Sequence, residues 1–69
     1  IKMIDFGKAL RTAQIKKNVT STQLAGKFGV SRQQMHRWRH QTTASLSLVD
    51  KMCTELQMDE IRFLKLGKE

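Results

Sequence analysis

The apolar residues of this chain recur three or four positions apart along most of its length, and no proline interrupts them. This spacing places apolar side chains on one face of a helix, whereas a half-buried strand would alternate at every second position. The chain has 69 residues, which is enough for one small domain with a modest core and no deep substrate cavity. The sequence therefore predicts an all-α fold, a compact bundle of five short helices, with residues 1–69 as a single domain.

The second and third helices are predicted from residues that favour helix ends. Thr20 is a favourable N-cap residue, and Gln23 three positions later completes the pattern of a capping box. Gly29 suits a tight turn that requires a positive φ angle, and Ser31 can cap the helix that follows. Two helices joined by a short turn that contains glycine form a helix-turn-helix, which we place at about residues 20–40.

The apolar spacing and the capping residues also predict the other helix boundaries. The first helix is expected over about residues 5–17 and the third over about residues 32–39. The fourth is expected to begin near Ser45 or Ser47, and the fifth at Asp59. The residues that the fourth helix is expected to bury are Leu46, Val49, Met52, Cys53 and Leu56. The apolar residues of the fifth helix are Ile61, Phe63, Leu64 and Leu66.

The positive charge of the chain is concentrated in one part of the sequence. The formal net charge is +7, with 13 Lys and Arg against 6 Asp and Glu. Residues 1–43 hold nine of the basic residues and one acid, a net charge of +8, whereas residues 44–69 hold four basic and five acidic residues, a net charge of −1. A basic region of this kind favours a polyanionic partner, although charge alone is equally typical of a solubilising surface.

The third helix carries the residue types that read DNA bases. At about 100° per residue, Met35 and Trp38 point to one side of this helix. The other side has no acid and no apolar residue, and it carries Arg32, Gln33, His36, Arg37 and His40. Arg can bind guanine through O6 and N7, and Gln can bind adenine through N6 and N7. A face of this composition favours contact with base edges, because a merely solvated helix face more often mixes Glu with Lys.

Several segments together resemble the λ-repressor-like DNA-binding domains, the phage repressor and Cro family. Residues 6–11 (Phe-Gly-Lys-Ala-Leu-Arg) are similar to the start of the family's first helix, and residues 19–37 to its second and third helices with their turn. Residues 46–58 resemble the fourth helix and its exit, so the resemblance covers about residues 6–66. It implies a five-helix fold and sequence-specific binding to double-stranded DNA, usually as a homodimer on a near-palindromic operator.

The resemblance also implies roles for individual residues. The family's base-reading positions fall on Ser31, Arg32, Gln33 and Arg37, with His36 beside them. The phosphate-binding start of the second helix falls on Thr20 and Ser21, where free backbone N–H groups can also hold an anion. The second phosphate-binding segment is the polar loop that follows the third helix, with His40, Gln41, Thr42 and Thr43. Lys17 and Lys27 are expected to help through their charge.

The chain departs from the family pattern at an ion pair. Many relatives have an Arg in the first helix that pairs with a Glu at the end of the third helix. Here these positions hold Gln14 and Arg39. We therefore expect Arg39 to be free to reach a DNA phosphate. The loop after the third helix lacks the glycine that is common in relatives, and Gln57 replaces the usual glycine after the fourth helix.

Metal binding or catalysis is conceivable at His36, His40 and Cys53, but the sequence does not favour either role. His36 and His40 have the four-residue spacing of metal ligands, but no carboxylate or Cys accompanies them. Cys53 is the single cysteine and has no His nearby, which argues against a disulfide, a metal site or a nucleophile. We therefore expect no catalytic residue, no metal and no cofactor. An enzyme is the least favoured class.

Two further expectations concern residues near the two ends of the chain. Because Ile1 is not an initiator residue, Met3 is a candidate for the natural start. The apolar residues Met58, Phe63 and Leu66 are open to two interpretations: they form a dimer surface, or they pack back on the first helix.

The leading hypothesis is a transcriptional regulator of the phage repressor or Cro type that acts as a homodimer on a near-palindromic operator. Its third helix would enter the major groove, while the phosphate contacts set its register. The alternative is an antitoxin or anti-repressor-type protein-interaction module on the same fold, against which the basic region argues. No apolar run is long enough for a membrane span. We expect a cytoplasmic protein, nucleoid-associated when bound to DNA, with no membrane or small-molecule partner.

Overall fold

A computed structural model describes residues 5–68, which leaves the candidate start Met3 outside the described part. Its secondary structure consists of helices, and the described residues form no strand. The helices in this range are α1 (Phe6–Lys17), α2 (Ser21–Phe28), α3 (Arg32–His40), α4 (Leu46–Leu56) and α5 (Glu60–Lys68). The predicted all-α fold with five helices is therefore confirmed.

Most helix ends follow the predicted capping residues. The Thr20 hydroxyl accepts a hydrogen bond from the N–H of Gln23 at 3.1 Å, and the Gln23 side chain accepts one from the N–H of Thr20 at 3.0 Å. This reciprocal pair is the predicted capping box. Ser45, rather than Ser47, caps α4. Gln57, in the place of the family's glycine, adopts the left-handed conformation with φ 54°.

The core is built around α1, whose apolar side contacts the other helices. Leu10 is completely buried, and the Phe6 ring lies against the Phe63 ring of α5 with 5.8 Å between their centroids. From α3, Met35 enters the core, while Trp38 is half-buried and packs edge-on against Phe28 of α2. Trp38 is thus a packing residue, and the opposite side of α3 is left to solvent.

Three expectations from the sequence need correction. Leu46 was expected on the buried side of α4, but it is 86% exposed because it lies in the first turn, where no other element covers the helix. His40 was expected both on the outer side of the third helix and in the loop after it, and it is the last residue of α3. Phe63 and Leu66 are buried in the core of the single chain, so the structure favours packing on α1 over a dimer surface for both.

The start of α1 is bonded to the segment that follows α3. The N–H of Gly7 donates to the carbonyl of Gln41 at 2.8 Å, and that of Phe6 donates to the carbonyl of Thr42 at 3.1 Å. A β-carbon at Gly7 would lie 2.8 Å from the Gln41 carbonyl oxygen and closer still to that of Arg39. Only glycine lets the two backbones approach this closely, and the approach fixes the path of the loop after α3.

A pair of glycine substitutions tests this close approach. We expect Gly7→Ala to lower the free energy of unfolding by about 1–3 kcal/mol, the usual cost of overpacking. Gly26→Ala places its β-carbon in open space within helix α2, so we expect a gain of about 1 kcal/mol from helix propensity. Urea unfolding followed by circular dichroism measures both. Equal effects of the two substitutions would contradict the role given to Gly7.

Candidate nucleic-acid interface

Helix α3 separates its core-facing side chains from a polar outer surface. Met35 is fully buried, whereas Arg32, Gln33, His36 and Arg37 are all exposed. The hydroxyl of Ser31 accepts a hydrogen bond from the N–H of Gln34 at 3.1 Å, which caps the helix. Because a hydroxyl can accept and donate at once, the Ser31 proton stays available for a ligand. The residues predicted to read bases therefore lie together on the solvent side of one helix.

The outer surface of α3 and the first turn of α2 form a shared groove, called here the α2–α3 groove. It is open to solvent and encloses about 600 Å³. Its lining residues are Ser21, Thr22, Arg32, Gln33, His36, Arg37 and Arg39. The lining includes three guanidinium groups and no carboxylate, so the groove is suited to a polyanion. It joins a predicted phosphate-binding residue, Ser21, to most of the predicted base-reading set.

The start of α2 presents backbone donors at the edge of this groove. The capping box uses the N–H groups of Thr20 and Gln23. The N–H groups of Ser21 and Thr22 belong to the first helical turn, where no carbonyl lies one turn back to accept them. They are therefore available to an anion such as a phosphate. Of the two residues predicted here, Thr20 uses its side chain as the cap, whereas Ser21 lines the groove.

The predicted phosphate-binding loop has a defined path. The Gln41 side chain donates to the carbonyl of Thr43 at 2.8 Å, and its backbone N–H donates to the carbonyl of Arg37 at 3.0 Å. Gln41 is half-buried, whereas Thr42 and Thr43 are exposed. Gln41 thus shapes the loop, and the two threonines present their side chains to solvent.

Two predicted helper residues lie outside the groove. Lys17 is exposed at the end of α1, where it lines a separate depression with α5 residues that include Arg62 and with Asp59. Lys27 is exposed in the last turn of α2. Neither residue is among those that line the α2–α3 groove.

An arginine that the sequence left without a role contacts the end of α3. The Nη1 of Arg11 lies 3.4 Å from the Nδ1 of His40. Arginine can only donate, so His40 must accept at Nδ1 and is neutral in this arrangement. The His36 and His40 rings are 4.4 Å apart between centroids. Arg11 lies in the segment that resembles the family's first helix, but no pattern in the sequence pairs it with His40.

This cluster lowers the pKa of His40 below its ordinary value of 6.5. The main cause is loss of hydration beside its neighbours, followed by the positive charges of His36, Arg11 and Arg39. Because the folded-state pKa is lower than that of the unfolded chain, this group favours the fold above pH 6.5. That contribution is lost as the pH falls through the lowered pKa.

The surroundings of Cys53 disfavour its thiolate form. Burial and three nearby carboxylates raise the pKa of the Cys53 thiol to about 11, so the thiol is protonated and weakly reactive at neutral pH. Residues 5–68 contain no cluster of three or more His, Cys, Asp or Glu side chains able to hold a metal. None of the helices in this range combines the length and the apolar character that crossing a membrane requires.

The sequence of the chain matches a known protein family. The family model of the Cro/C1-type helix-turn-helix DNA-binding domain matches residues 9–61. The chain therefore belongs to this family of DNA-binding domains, and the resemblance inferred from its residues is confirmed. Searches of curated protein sequences and of solved structures find no match to the chain.

The histidine cluster gives a prediction that NMR can test. We expect His40 to titrate below pH 6.5, and we expect Arg11→Gln to raise its pKa, because the substitution removes both a positive charge and the bond to neutral Nδ1. Arg62→Gln on α5 removes the same charge at a distance from the cluster and should leave the pKa of His40 unchanged. A His40 pKa above 6.5, or a His40 pKa that Arg11→Gln leaves unchanged, would contradict the contact between Arg11 and His40.

Proposed function

We propose that this chain is a transcriptional regulator of the phage repressor or Cro type that binds an operator in double-stranded DNA. The observation that carries the proposal is the α2–α3 groove, where three arginines, one glutamine and one histidine meet without a carboxylate. Membership in a family of DNA-binding domains supports this use of the groove.

In the proposed complex, α3 lies in the major groove of DNA. Arg32 and Arg37 have the guanidinium geometry that binds guanine, and Gln33 has the amide geometry that binds adenine. Ser31 and His36 flank these residues and complete the proposed base-reading set. Within residues 5–68 the side chains of Arg32, Gln33, His36 and Arg37 make no hydrogen bond, and Ser31 accepts one from the backbone N–H of Gln34. These side chains can therefore turn toward base edges without breaking the fold.

Phosphate contacts would flank the base contacts and set the position of α3. The N–H groups at the start of α2 lie near Arg39, since Ser21 and Arg39 line the same two depressions. The exposed threonines of the loop follow the C-terminal end of α3. Lys17 and Lys27 would add long-range attraction. Contacts of this kind fix orientation and carry little sequence information. They also make affinity fall as the salt concentration rises.

We further propose that the regulator acts as a homodimer on a near-palindromic operator, in the cytoplasm and on the nucleoid. Of the residues first considered for a dimer surface, Met58 is half-buried and lies at the turn between α4 and α5. Three of the six acidic residues, Glu55, Asp59 and Glu60, lie near this turn in the sequence, whereas Met58 itself lines a depression with four basic side chains.

The competing function is an antitoxin or anti-repressor-type interaction module. Exposed apolar side chains outside the groove, Ile15, Leu46 and Ile61, are compatible with a protein partner. A mobility-shift assay with genomic DNA fragments at moderate salt separates the two functions. Retarded fragments support the regulator, and the absence of any retarded fragment favours the module.

Substitutions in the groove test the proposed base contacts. We expect Arg32→Ala and Arg37→Ala each to reduce discrimination between operator and random DNA by about 10–100-fold, since one bidentate base contact contributes about 1–3 kcal/mol. Lys17→Ala should instead weaken binding to both DNAs by a similar factor, because it removes charge outside the groove. Fluorescence anisotropy with operator and random duplexes measures both. If neither arginine substitution changed the ratio of the two affinities, the proposed reading face would be wrong.

A further inference from the structure

Gln14 of α1 is a buried polar side chain next to the start of α2. It is 6% exposed. Its amide nitrogen donates to the carbonyl of Val19 at 3.3 Å and to the hydroxyl oxygen of Ser21 at 3.2 Å. These two bonds fix the orientation of the amide, so its carbonyl oxygen Oε1 must point the other way. That oxygen is buried and has no hydrogen-bond partner.

Arg39 at the end of α3 has an unpaired hydrogen-bond donor, whereas Gln14 has an unpaired acceptor. Its Nε–H group is buried and also lacks a partner. Gln14 and Arg39 line the same surface depression, which encloses about 370 Å³ and is shared with Arg11 and Ser21. Buried polar atoms are almost always paired in folded proteins, so an unpaired acceptor and an unpaired donor in one depression call for an explanation. We call this depression the Gln14 pocket.

The Gln14 pocket meets the α2–α3 groove at two residues. Arg39 and Ser21 line both. The Ser21 oxygen accepts its hydrogen bond from Gln14, so the hydroxyl proton remains to be donated outward. The two guanidinium groups of the pocket, on Arg11 and Arg39, face no carboxylate among its lining residues. A phosphate oxygen at this junction would therefore meet a hydroxyl donor, backbone donors and positive charge.

We propose that Gln14 is a positioning residue for a DNA phosphate at the junction of the two depressions. Its NH₂ group holds Ser21 so that the hydroxyl donates to the phosphate. Its Oε1 accepts the Nε–H of Arg39 when DNA binds, which directs the outer guanidinium nitrogens to the same phosphate. Because an amide is neutral, it can orient Arg39 and leave the positive charge of the arginine intact. A carboxylate at this position would cancel that charge. This inference rests on the proposed binding to DNA.

Substitution of Gln14 by an acid gives the sharpest test. In Gln14→Glu, a carboxylate would pair with Arg39 and neutralise it. We expect duplex affinity at low salt to fall about 10-fold, and the slope of log affinity against log salt to lose about 0.9, the contribution of one phosphate contact. Arg39→Gln should give about the same loss, because either substitution removes one unit of positive charge at the phosphate. Ile61→Glu on α5 adds the same charge on an exposed helix surface and serves as the control.

A neutral variant keeps the test valid if the buried acid prevents folding. Gln14→Met preserves the length of the side chain and removes both its donor and its acceptor. We expect it to weaken duplex binding about 3–10-fold per folded molecule, the range expected for one lost hydrogen bond at the phosphate. Circular dichroism gives the folded fraction. Gln14→Met combined with Ser21→Ala should weaken binding less than the product of the two single effects, because both act on one contact.

The outcomes separate this inference from the proposed function. If the wild-type chain binds duplex DNA and both Gln14 variants, once folded, keep its affinity and salt slope, then Gln14 has only a structural role and the inference is overturned. If the wild-type chain binds no duplex DNA at any salt concentration, the proposed function fails and the inference fails with it. Loss of affinity and slope in Gln14→Glu, with an unchanged Ile61→Glu control, supports the positioning role.

Discussion

The close approach of α1 to the end of α3 is the contact on which the proposed DNA-binding surface depends. Two backbone hydrogen bonds, from Phe6 and Gly7 to the carbonyls of Thr42 and Gln41, join these elements where a side chain at position 7 would not fit. The same packing brings Arg11 to His40 and Gln14 into the pocket that Arg39 shares. A helix with little apolar surface of its own is thus held in place by its neighbours, and its polar side remains open to solvent.

The electrostatic arrangement follows from this packing. Basic side chains from α1 and α3 converge near the C-terminal end of α3, and the described residues that line the groove and the Gln14 pocket include no carboxylate to neutralise them. Like charges at this end repel one another, and the positive charges of His36, Arg11 and Arg39 add to the loss of hydration that lowers the pKa of His40. A polyanion relieves the repulsion. Four of the nine basic residues of residues 1–43 line the α2–α3 groove or the Gln14 pocket, where their charge attracts a polyanion: Arg11, Arg32, Arg37 and Arg39.

The sequence predicted the features that depend on local chemistry. The capping box at Thr20, the left-handed turn at Gly29 and the division of α3 into a core side and a polar side all follow from residues close together in the chain. The features that the sequence did not predict depend on how helices pack. Leu46 fits the apolar spacing of α4, yet no neighbour covers it, and Phe63 is buried because α5 packs on α1. The unpaired atoms of Gln14 and Arg39 likewise come together only in the folded chain.

The central claim is that the α2–α3 groove contacts duplex DNA directly. A ¹⁵N NMR titration of the chain with a duplex selected from random DNA tests it most directly, because every backbone amide reports separately. If the groove binds duplex DNA, the largest shift changes will fall at residues 20–22, 31–37 and 41–43. Changes confined to α4 and α5, or no change at saturating duplex, would contradict it.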